Sequence, residues 1–170
     1  MTKRDRKGKS KNLASEDASS IRAKFPRHSL SKSLRIAKAI LEQNAGKPAT
    51  VKEAAAFVGV GVSGPLNVEI GSGTKYGLLE RPENGKLQPT ALAKKILRPQ
   101  SPSDELEAYR EAILKAPGIS DVYKHYRGEN LPDDQFLKNT VGEKFHIPAD
   151  HFAEFKSVFL ESLETAQLLS

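Results

Sequence analysis

The chain has 170 residues, with 27 Lys or Arg against 21 Asp or Glu, a net charge of +6 and 38% hydrophobic residues. That is enough apolar material for one ordinary domain with an extension, and the absence of cysteine excludes disulfide frameworks, Cys-ligated zinc, iron–sulfur clusters and a thiol nucleophile. No apolar run reaches the roughly 18–20 residues of a membrane span, and no apolar stretch follows the basic N-terminus as in a secretory signal, so a soluble cytoplasmic protein is expected.

Residues 1–20 carry six basic side chains and almost nothing apolar. They read as a disordered basic arm, because such a segment buries too little surface to offset its ordering entropy. The spacing of Leu30, Leu34, Ala37 and Leu41 predicts a helix over Ser29–Asn44, ended by Gly46 and Pro48. Thr50 and Glu53 have the spacing of a capping box, opening a second helix that runs through Ala54, Ala55 and Val58 to Gly59. Ser63 caps a third helix with Pro65 in its first turn. Leu66 and Ile70 form its buried edge, and Gly77 stands where a left-handed cap is expected.

Two short strands, Leu78–Pro82 and Lys86–Pro89, flank Glu83-Asn84-Gly85, where Asn-Gly signals a hairpin with a type I′ turn. Thr90 caps a fourth helix with Leu92 and Ile96 inward, and Pro99 ends it. Beyond Pro102 only helices are predicted. These are Ser103–Lys115, a segment striped by Ile119, Val122, Tyr123 and Tyr126, the span Asp133–Val141, and a last helix opened by Pro148. Phe152, Phe155, Phe159 and Leu163 line that last helix.

Charge divides along the chain. Residues 1–100 hold a net +12 and residues 101–170 a net −6. Such a split either directs the halves toward different partners or draws them together within one body.

Helix, helix-turn-helix, hairpin, helix is the element order of a winged helix-turn-helix domain, and the local sequence resembles that pattern. Ala55 takes the small-residue site where two helices cross, Gly59 follows at the turn, and Val60 and Val68 take the apolar positions that pack one helix on the other. Tyr76-Gly77-Leu78-Leu79-Glu80, Asn84-Gly85-Lys86-Leu87 and Thr90-Ala91-Leu92-Ala93 look like the helix end, wing and following helix of prokaryotic winged-helix proteins. Pro117, Ser120-Asp121-Val122-Tyr123, Tyr126 and Leu131-Pro132, with the Phe-rich last helix, resemble the helical extension of an uncharacterised prokaryotic family of unknown function.

The fold expected is therefore mostly α with a small β-hairpin wing: a basic arm over 1–20, a winged helix-turn-helix over 21–98, and an α-helical extension over 103–170. The resemblance to the uncharacterised family implies a fold and no established activity; the resemblance to winged-helix proteins implies DNA binding, of which regulation of transcription is one use, with the third helix toward the major groove. Its outward candidates are Asn67, Glu69, Ser72, Thr74 and Lys75. Asn67 can pair with adenine, Ser72, Thr74 and Lys75 can meet phosphates, and Glu69 would repel them. Arg81 and Lys86 flank the wing, while Arg35, Lys52 and the arm add positive charge. Gly71 and Gly73 weaken the helix by about 1 kcal/mol each relative to Ala, unless they permit close packing. The competing reading is a non-enzymatic adaptor that docks another protein on the winged helix. The acidic C-terminal helices are candidates for a homodimer or partner contact.

Several lookalikes fail. Gly59-Val60-Gly61-Val62-Ser63-Gly64 matches a dinucleotide fingerprint, but an alanine-rich helix stands where the strand belongs. In Gly71-Ser72-Gly73-Thr74-Lys75 the Walker spacing is broken by Thr74. His146 and His151 are five apart around Pro148 with no third ligand. No catalytic group, cofactor or metal is expected.

Overall fold

A computed structural model describes residues 24–169; the predicted arm lies outside the described residues. Helices start where side chains serve the free N–H groups of a first turn. At Thr50 the capping box forms as predicted: Thr50 Oγ1 accepts from the Glu53 N–H at 3.1 Å, and Glu53 Oε1 accepts from the Thr50 N–H at 3.3 Å. It opens α2 (Val51–Val58), which ends at Gly59 with φ +84°. Ser63 caps α3 (Gly64–Lys75) and Thr90 caps α4 (Ala91–Leu97). Ser101 caps α5 (Pro102–Lys115), so this helix starts one residue before the predicted Ser103.

The predicted first helix is shorter than its apolar spacing suggests. Ser33 donates both its N–H (2.9 Å) and its hydroxyl (2.7 Å) to the Ser29 carbonyl. The Leu34 N–H then reaches the Ser31 carbonyl three residues back (3.4 Å), so the chain enters through a 3-10 turn at Lys32–Leu34, and α1 spans Arg35–Gln43. Leu30 is buried all the same. Later come α6 (Ile119–Tyr126), α7 (Asp134–Phe145) and α8 (Phe152–Thr165), the last preceded by a 3-10 turn at Ala149–His151. Helix α7 runs a turn past the predicted Val141, closing at His146 with φ +58°.

A small antiparallel sheet with strand order β1-β3-β2 joins the helices. β1 (Ala49–Thr50) pairs with β3 (Lys86–Pro89), Ala49 opposite Leu87; β2 (Leu79–Glu80) pairs on the other side, Leu79 opposite Pro89. β1 has only two residues, too few to show a period-2 pattern in the sequence. β2 is shorter than the predicted Leu78–Pro82 because Leu78 closes α3 instead. Gly77 has φ +74° and donates to the Thr74 carbonyl (3.0 Å), and Leu78 donates to that of Gly73 (2.8 Å), a Schellman ending. The hairpin turn also differs from type I′. Of Asn84 and Gly85 only Gly85 has positive φ, +77°, and Lys86 N–H bonds the Glu83 carbonyl at 3.2 Å. With residues 81–85 available, the loop needs no two-residue turn.

Buried side chains from both halves of the chain belong to one hydrophobic cluster. Phe25 meets Phe155 of α8 edge-on, with ring centroids 5.3 Å apart. Beside them lies a buried polar chain. Leu30 N–H donates to Ser162 Oγ (3.0 Å), Ser162 and Tyr76 hydroxyls are 3.0 Å apart, and Tyr76 donates to the His28 carbonyl (2.9 Å). Since the phenol has one proton and gives it to His28, Ser162 is the donor to Tyr76. Burial pushes the Tyr76 hydroxyl above its ordinary pKa, with the Ser162 hydrogen bond opposing the shift, so the phenol holds its proton.

Tyr76→Phe or Ser162→Ala should each cost about 1–3 kcal/mol by leaving a buried partner unmatched. Urea midpoints check this, and an unchanged midpoint in both variants would remove the network from the stability of the fold. The two helical glycines of α3 should respond in opposite ways. A Cβ on Gly71 meets nothing within 4 Å, whereas one on Gly73 falls 2.8 Å from Leu79 Cδ1 and 3.4 Å from the Ser33 carbonyl oxygen. Gly71→Ala should stabilise by up to about 1 kcal/mol, and Gly73→Ala should lower the thermal midpoint.

Candidate nucleic-acid interface

Helix α3 buries Leu66, Glu69, Ile70, Ser72 and Gly73, and two strips of its surface concern the predicted site. Asn67, Gly71 and Thr74, at i, i+4 and i+7, share one strip. Asn67 and Thr74 are exposed, and Thr74 returns its hydroxyl to the Ile70 carbonyl at 2.9 Å. Pro65, Val68 and Ser72, at i, i+3 and i+7, form the second strip, which faces the segment before α1. There Ser72 Oγ accepts the N–H groups of Arg27 (3.0 Å) and His28 (3.2 Å).

Two residues expected to point outward on α3 therefore do not. Ser72 is 1% exposed and committed to backbone donors. Glu69 is buried and receives Arg35 in a bidentate pair, Nε to Oε1 at 2.7 Å and Nη2 to Oε2 at 2.6 Å. The hydrogen bonds that Arg35 donates to Glu69, with the charge of that carboxylate, raise the Arg35 pKa against the opposing effect of burial. The pair fastens α1 to α3 and takes Arg35 out of the pool of free cations. Lys75 is half-buried, and burial together with the nearby Arg27 charge lowers its pKa.

The packing role read for Val60 and Val68 is also corrected. Both are surface residues, 39% and 42% exposed, beside Val62 at 58%. Ala55 is buried as expected. Gly59 and Val60 both close α2 by donating to the Ala55 carbonyl, at 2.9 and 3.0 Å, and residues 59–63 that follow are exposed.

On the hairpin, Arg81 is exposed and Lys86 half-buried, with Lys86 Nζ 3.7 Å from Glu83. Lys52, at the start of α2, is exposed. Among the described residues Arg81 and Lys52 make no salt bridge with a carboxylate within 4.0 Å, nor do Lys38, Lys94 and Lys95. Arg35, Arg27 and Lys32 each have a partner.

Arg27 is a residue the sequence reading left without a role. Its guanidinium grips Glu154 of α8, Nε to Oε1 at 2.5 Å and Nη2 to Oε2 at 2.9 Å, with His151 Nδ1 3.6 Å from the same carboxylate. With Lys32 at 4.0 Å from Glu161, two basic residues of the first half thus face acidic residues of α8. His146 stands at the left-handed end of α7 and His151 beside Glu154. No group of three His, Asp or Glu side chains suited to a metal ion occurs among the described residues. Nor is any helix among them long and apolar enough to cross a membrane.

No family model matches this chain, and no match to it was found among the curated proteins or the solved structures.

Glu154 ties its pair to pH. Burial, the largest single influence, would raise its pKa, but the hydrogen bonds and charge of Arg27, with help from His151, leave it below the ordinary carboxylate value. A depressed folded-state pKa contributes stability above the unfolded pKa, about 4.3 for Glu, and loses it as pH falls through the folded value. Glu154→Gln should therefore lower the urea midpoint at neutral pH and match the parent in acid. A deficit of constant size across pH would refute the assignment.

Proposed function

We propose that residues 21–98 form a winged helix-turn-helix and that the protein binds duplex DNA through the Asn67–Thr74 strip of α3 and the hairpin between β2 and β3. The observation that carries the reading is the order of elements. One helix, a short strand, two helices joined by a turn, and a hairpin whose second strand lies between the other two support that reading. Gly73 supports it, since its lack of a side chain lets α3 back directly onto Leu79 of β2, setting the helix beside the hairpin.

The chemistry available on this face favours backbone contacts over base reading. With Glu69 and Ser72 turned inward, Asn67 is the one α3 side chain from the predicted set suited to a base edge, in a pairing with adenine. Exposed Arg81 and Lys52 then serve phosphates, and each phosphate contact steepens the fall of affinity with salt. The acidic helical extension has no place on a DNA surface. A contact with a second copy or a partner protein suits it better, as the 60% exposure of Phe136 on α7 supports.

A second reading, a docking module for another protein, is favoured by one observation: exposed Val60, Val62 and Val68 cluster around the α2–α3 turn, where a DNA reader would carry polar groups.

Fluorescence anisotropy with random-sequence duplex DNA between about 50 and 200 mM salt tests the first reading. Steeply salt-dependent binding that survives removal of residues 1–20 and falls about tenfold or more in the Arg81→Glu, Lys86→Glu double variant is expected. An absence of binding at the lowest salt, or binding lost with residues 1–20 alone, would overturn it.

A further inference from the structure

Along the second strip of α3, away from Asn67 and Thr74, a groove follows the Arg35–Glu69 pair. At one end its walls are aliphatic: Val60, Pro65, Leu66 and Val68. At the other they are basic: Lys32, Arg35 and Lys38 on the 3-10 turn and α1, with Leu97 of α4 and Tyr109 of α5 opposite. His28, Arg35 and Glu69 border both ends, making one continuous surface. At its centre the bidentate Arg35–Glu69 pair offers little net charge. The cations left to a ligand are Lys38, which has no salt-bridge partner among the described residues, and Lys32, whose Nζ stands 4.0 Å from Glu161 and whose side chain is 69% exposed.

We propose that this groove binds a peptide segment of a partner protein in which acidic residues adjoin a pair of aliphatic side chains, the carboxylates meeting Lys32 and Lys38 and the aliphatic pair covering Val60 and Val68. Charge and apolarity divide along the groove in the way such a segment divides along its own length. A duplex fits it poorly. Its phosphates would cross the aliphatic end, where Ser63 offers a single hydroxyl among Val60, Pro65, Leu66 and Val68, and pass over Glu69. The assignment goes beyond DNA binding and does not rest on it, since the groove and the Asn67–Thr74 strip are different strips of α3.

Selection of a random-peptide display library on the full chain, followed by anisotropy with the synthesised consensus peptide, tests it. Enriched peptides should join Asp or Glu to Leu, Ile or Val. Lys38→Glu and Val68→Asp should each weaken the consensus peptide about tenfold, while Lys124→Glu on α6 leaves it unchanged. Both groove positions are exposed, so thermal midpoints should confirm intact folds. No enrichment, enrichment of peptides without acidic residues, or indifference to both groove variants would overturn the proposal. So would two further results. If Val68→Asp abolishes a concentration-dependent self-association in sedimentation, the occupant is a second copy; if Lys38→Glu weakens duplex binding and no peptide is selected, the surface serves nucleic acid. Duplex and peptide binding are measured separately on the same protein, so either reading can fail alone.

Discussion

The chain of hydrogen bonds from Leu30 through Ser162 and Tyr76 to His28 is the constraint on which the remaining structure depends. It joins the segment before α1, the end of α3 and the last turn of α8. Each member is a polar group in an apolar surrounding, where an unmatched donor or acceptor is costly. Hydrophobic burial alone would let α8 slide or rotate on the first half, because it has no direction. The hydroxyls of Tyr76 and Ser162 do have direction, and they admit one placement of α8 against α3.

The charge asymmetry of the chain is partly consumed inside the molecule. Arg27 holds Glu154, Lys32 approaches Glu161, and Arg35 holds Glu69. The first two pairs join the halves and offset part of the net +12 of the first, while the third is internal to it; Arg81, Lys52, Lys38 and the α4 lysines are among the cations with no salt bridge among the described residues. Both functional readings follow from this redistribution. The hairpin keeps an unpaired arginine for phosphates, while the α1–α3 groove keeps the unpaired Lys38 and the largely exposed Lys32, 4.0 Å from Glu161, beside an aliphatic wall.

Local rules made much of the framework legible. Capping residues at Thr50, Ser63 and Thr90, the left-handed glycines 59, 77 and 85, and the apolar spacings of Phe152, Phe155, Phe159 and Leu163 act over a few residues and can be read in a single window. Where reading failed, the deciding partner was distant. β1 is two residues long and exists because β3 lies beside it. Glu69 reads as a surface acid until Arg35, 34 positions earlier, is placed against it. Ser72 reads as a phosphate donor until the Arg27 and His28 backbones arrive. Val60 and Val68 fit a local helix-turn-helix pattern, yet both are surface residues.

By itself the sequence determined a mostly helical chain with a hairpin, where most helices begin and end, and that its first hundred residues are basic and its last seventy acidic. These depend on dihedral preference, short-range capping and composition, which are properties of neighbouring residues. Only the tertiary structure decided which of the polar residues of α3 face water, which cations are already paired, and that α3 carries two chemically different strips. Those are settled by contacts between residues far apart in the chain, and a buried ion pair or hydroxyl finds its partner only when the packing of the elements has brought the two together.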